Sequence, residues 1–165
     1  MMPNIADDLK NALSSVVTGV GDVVSTTRDV AKDTVVKTVK AGGDVATTSV
    51  DTVGKVVTEG VTTASEVGVS TTDAVSGLAT GVIEGVKEVG GDVGQAAVSV
   101  VEGTIKAADS IGTGTEELVK HAVMGALKAA DEIGSEAGGI VRKALLGAAS
   151  LPHDIIDALL SGKKD

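Results

Sequence analysis

Residues 74–151 repeat themselves every 22 residues, and few folds are compatible with that spacing. AVSGLATGVIEGVKEVGGDVGQ (74–95) is followed by AAVSVVEGTIKAADSIGTGTEE (96–117), LVKHAVMGALKAADEIGSEAGG (118–139) and the half-copy IVRKALLGAASL (140–151). Gly81, Gly103, Gly125 and Gly147 occupy one column, and Gly90, Gly112 and Gly134 another. A third column holds Val89, Ile111 and Ile133, and a fourth Ile83, Ile105 and Leu127. Agreement of this kind without a gap marks an internal repeat, which has to be recognised before any fold is assigned.

The same frame continues towards the N-terminus as blocks 8–29, 30–51 and 52–73. Val23, Val45 and Val67 join the column of Val89, while Val17, Val39 and Val61 join that of Ile83. Twenty-two is twice eleven, and eleven residues close three helical turns at about 3.67 residues per turn. On that wheel the Val, Ala, Ile and Leu columns fill an arc of roughly 165°, with Asp, Glu, Lys, Ser and Thr opposite. The pattern predicts an all-α chain of long amphipathic helices built from 22-residue repeats, either extended or stacked as hairpins. An uninterrupted helix from Ile5 to Ala149 would be roughly 215 Å long.

Four regions follow: a lead and helix start at 1–7, Val/Thr-rich repeats at 8–73, Ala/Gly-rich repeats at 74–151, and a short tail helix within 152–165. Asn4 is the expected N-cap of a helix opening at Ile5, with Asp7 and Asp8 in its first turn. Pro152 ends the array, HDIIDALLSG forms the tail helix, and Ser161-Gly162 closes it. Residues 16–73 are rich in β-branched side chains, so a β-rich N-terminal half is the structural rival. Strict alternation is missing there and the eleven-residue spacing persists, which favours helix. The glycine clusters at 42–43, 90–91, 112–114 and 138–139 are the candidate breaks, with 112–115 and 138–139 preferred.

Small residues recur at a spacing of four: Gly81 with Gly85, Gly103 with Ala107, Gly125 with Ala129. They line one edge of the apolar arc, where absent side chains let another helix backbone come close. These six residues are the candidate packing seam, and Gly103→Leu is expected to disrupt assembly by blocking that approach.

No catalytic, cofactor or metal site is expected. Gly112-Thr113-Gly114-Thr115 lacks the lysine of a phosphate loop, and Gly19-Val20-Gly21 lacks the third glycine of a dinucleotide loop. His121 sits in a polar column and reads as a solvated surface residue, His153 opens the tail, and neither has ligand spacing. The serines stand in no nucleophile motif. Net charge is −9, and aromatic residues are absent, which argues against nucleic acid as a partner. The chain has no cysteine, no ordinary secretory signal and no apolar run long enough to span a membrane, so a cytoplasmic protein is the expectation.

Stretches such as VVTGVGDVVSTTRDVAKDTVVKTVKAGGDV (16–45) give the chain a pattern that resembles the eleven- and 22-residue repeats of perilipins, exchangeable apolipoproteins and synucleins. The likeness to perilipin repeats, also rich in Thr, Val, Gly and Ala, is the strongest of these. That resemblance implies binding to a lipid surface and no catalysis. The residues themselves require only that a broad apolar face be covered, since large exposed apolar patches are rare. Self-assembly of the chain into a homo-oligomeric scaffold, fibre, tube or shell is the first expectation. A coat on a lipid droplet or membrane is the second, with lipid or an apolar cargo as the partner of the same face.

Overall fold

In a computed structural model of the chain, the described residues are 11, 22–42, 45–112, 114–148 and 151–160. The expected helix start at Asn4 and Ile5, the column member Val17, the Gly19-Val20-Gly21 stretch and the tail closure at Ser161-Gly162 lie outside them, as does the side chain of Val45. Among the described residues every regular element is a helix: α1 (Val23–Gly42), α2 (Val45–Val67), α3 (Thr71–Glu88), α4 (Val93–Ile111), α5 (Thr115–Ile133), α6 (Ser135–Gly147) and α7 (His153–Leu160). The longest of these has 23 residues, so the described part of the chain is a series of short helices and not one rod.

The β-rich rival for the N-terminal half is overturned, because α1 and α2 are helical throughout. Threonine in these helices returns its hydroxyl to the backbone. Thr27 Oγ1 donates to the Val23 carbonyl at 2.7 Å and Thr62 Oγ1 to the Thr58 carbonyl at 2.8 Å. A buried threonine is thereby satisfied within its own helix, which lets a β-branched polar residue occupy an apolar face.

Left-handed glycines make three of the turns. Gly68, Gly90 and Gly112 have φ of +94°, +81° and +71°. They stand 22 residues apart in the chain. An L side chain seldom adopts that conformation, so glycine ends each helix there. Gly112 N–H donates to the Ala108 carbonyl at 2.9 Å, and Gly91 N–H to the Val86 carbonyl at 2.8 Å. The next helices open on side-chain caps: Ser70 Oγ accepts from Asp73 N–H at 3.2 Å, and Asp92 Oδ1 from Gly94 and Gln95 N–H at 2.9 and 3.2 Å. The expected break at 138–139 is displaced. Helix α6 runs through both glycines, and the chain turns instead at Gly134 in extended backbone. Gly138 serves a different need: a Cβ there would run into the Asp131 carboxylate.

The helices alternate between two layers. Helices α1, α3 and α5 lie side by side in one, α2, α4 and α6 in the other, and α7 packs on α5 and α6. Among the described residues no helix touches another more than two places away in the chain. Such nearest-neighbour packing is quasi-one-dimensional, with stability summed over helices and their adjacent interfaces. The core between the layers is mainly valine and alanine. Its largest fully buried side chains are Leu78, Ile83, Leu118, Leu145 and Ile156.

Candidate functional site: the small-residue seam

The seam residues lie where helices of one layer meet. A Cβ on Gly81 would collide with the Arg28 carbonyl oxygen and approach Ala31, and one on Gly85 would stand 3.1 Å from the Lys32 oxygen. Both glycines therefore admit α1 against α3. Gly103 admits α2 against α4, with the Gly54 oxygen at 3.2 Å from an added Cβ. Gly125 admits α3 against α5, with the Ser76 oxygen at 2.9 Å. Ala107 and Ala129 are fully buried. These three of the four in-layer pairings are thus backbone-to-backbone contacts in which even a methyl group is tight or excluded.

Polar side chains mark the same contacts. Thr58 Oγ1 donates to the Gly103 carbonyl at 3.5 Å and Thr80 Oγ1 to the Gly125 carbonyl at 3.4 Å, both across 45 residues of chain. Ser76 Oγ meets His121 Nδ1 at 3.3 Å over the same separation. His121, expected as a solvated surface residue, is half-buried at the α3–α5 contact, with Nε2 3.8 Å from Glu117.

One seam residue escaped the sequence reading. Gly77 sits opposite Thr27, and a Cβ there would overlap the threonine hydroxyl. Gly77, Gly81 and Gly85 form a run at spacing four, and the outlying first member was the available signal. Along this run α1 is shifted one helical turn relative to the other pairs. Gly103 faces Val57 and Gly125 faces Ala79, whereas the matching residue for Gly81, Val35, faces Gly85. Because Thr27, Ala31 and Val35 meet Gly77, Gly81 and Gly85 in order, α1 and α3 are parallel.

The apolar columns point inwards. Val39, Val61 and Ile83 are buried, and Ile105 and Leu127 are partly buried against the core. Val23, Val67, Val89, Ile111 and Ile133 are also partly buried against it. The broad face expected to need an external cover is therefore covered by the chain's own helices. No protein-family model matches this chain, and no curated protein matches it.

Outside the seam, the described titratable side chains are exposed or half-buried, and some form surface pairs, such as Lys120 with Glu116 at 3.4 Å. Among the described residues no group of three or more His, Cys, Asp or Glu side chains is placed to hold a metal ion, and no helix is long and apolar enough to cross a membrane. Arg142 makes a two-pronged bond to Asp131 at 2.9 and 3.0 Å, joining α6 to α5 across the Gly134 turn. That hydrogen bond holds the Asp131 carboxyl below the ordinary aspartate range and raises Arg142. Asp22 is likewise lowered, chiefly by the Ser25 backbone N–H that it accepts at 2.9 Å in capping α1. His153 Nε2 lies 2.9 Å from the Ala148 carbonyl and ties the start of α7 to the end of α6.

Proposed function

We propose that this is a non-catalytic structural protein, a 22-residue-repeat helical array that self-assembles into a homo-oligomeric scaffold. The observation that carries this reading is the series of glycine-mediated contacts at Gly81, Gly103 and Gly125, which lock alternate helices of the chain backbone to backbone. An array closed in this way is a rigid building element with a charged outer surface. Because its apolar face is occupied internally, assembly proceeds through the outer faces of the layers and leaves the core closed. Sedimentation velocity of the purified protein with far-ultraviolet circular dichroism tests the proposal. High helicity in a species larger than one chain is the expected result, and a helical monomer at every concentration would refute it.

The second reading, a lipid-surface coat, is favoured by the make-up of the core. Valine and alanine bury less area than aromatic side chains, so opening the array onto an apolar surface loses less per residue. It requires the in-layer seams to separate. A protein that is largely unfolded alone and becomes helical only with liposomes would favour the coat over the scaffold.

A further inference from the structure

We propose that two copies of this chain pair through the groove between α4 and α6, with α6 of each copy lying against α4 of the other. This rests on the self-assembly reading and specifies its interface. The starting observation is a seam that closes at one end only. At that end an added Cβ on Gly94 would touch Ala144 at 3.0 Å and Ile140 at 3.1 Å, so α4 and α6 are in close contact. At the far end of α6 no such contact is made. Gly147 belongs to the same column as Gly81, Gly103 and Gly125, yet a Cβ on it would meet no atom within 4 Å. The space left is an open groove of about 680 Å³ between Val98, Ser99 and Glu102 of α4 and Ile140, Lys143 and Gly147 of α6.

The chain itself shows what fits against a glycine of this column. At its three earlier members the occupant is another helix of the same repeat, presenting a backbone carbonyl and a small side chain. A second copy supplies such a helix. Ile140 in the groove wall is 45% exposed, and Leu146, outside the groove on the same helix, is 46% exposed. The charges on the rim complement one another under two-fold symmetry. The α4 wall carries Asp92 and Glu102 and the α6 wall carries Lys143, so exchanging walls between copies sets Lys143 of each against the acids of the other. A two-fold interface demands that kind of self-complementarity. The new contact is continuous with the α4–α6 seam already closed at Gly94.

Sedimentation equilibrium of the full chain tests the proposal with Ile140→Glu, Lys143→Glu and the charge-exchanged double variant Lys143→Glu/Glu102→Lys. Each single variant is expected to weaken self-association at least about tenfold while keeping wild-type helicity, because a like charge is set against the acidic wall. The double variant is expected to recover association. An oligomeric wild type with both single variants equally oligomeric overturns the groove and leaves the scaffold reading standing. A monomeric wild type overturns both.

Discussion

Glycine at a seam position and glycine on an open helix surface respond to substitution with opposite signs. At Gly81 a methyl group would strike the Arg28 carbonyl, a backbone atom that cannot swing aside. Gly81→Ala is expected to destabilise the protein by about 1–3 kcal/mol in denaturant unfolding, the usual range for overpacking. Gly54 lies in the middle of α2, and a Cβ there would meet nothing within 4 Å. Gly54→Ala is expected to stabilise by up to about 1 kcal/mol, the difference in helix propensity. Equal effects at the two positions would mean that the close approach of α1 and α3 is absent in solution. Gly103→Leu changes meaning on the same reasoning. Since Gly103 faces α2 of its own chain, the bulk acts first on folding and only through it on assembly.

Between elements, the α5–α6 junction turns within a single residue and is tied by Arg142 and Asp131. Asp131 has a lowered folded-state pKa, so its contribution is present above the ordinary carboxylate range and lost as the pH falls through the lowered value. Asp131→Asn is therefore expected to lower the melting temperature slightly at neutral pH, as befits an exposed pair, and to match wild type once the carboxylate is protonated. Thermal melts of both proteins from pH 7 down to about pH 2 read this directly. A difference that persists at the acid end would assign the effect to packing against Gly138 and not to the charge.

For the whole molecule, contacts confined to nearest and next-nearest helices make local damage stay local. Gly77→Leu should separate α1 from α3 and raise amide hydrogen exchange in α1, while α5 and α6 keep wild-type protection. Uniform loss of protection across all helices would show instead that the array unfolds as one unit. The surface charge fits this picture of a polar exterior around a closed interior. The pairs joining elements there, such as Lys32 with Glu88 at 3.8 Å, are half-exposed and add little to stability.

The helical class and the glycine end at 112 were legible without coordinates, and 90 was among the candidate breaks, because each follows from local chemistry; that the apolar columns turn inwards onto the chain's own helices was not. An eleven-residue period fixes a helix face, and a left-handed turn asks for glycine whatever the neighbours are. The seam was legible as a position but not as a relationship. That Gly81 and Gly125 need a bare backbone beside them can be read from spacing; that this backbone belongs to the same chain, two helices earlier, cannot. The broken preference for 138–139 has the same origin, since Gly138 makes room for Asp131 and its sequence resembles a turn only by composition. Periodicity determines which side of each helix must be covered. Only the tertiary structure decides what covers it, because that depends on where the turns send the next helix and how closely two backbones can then approach.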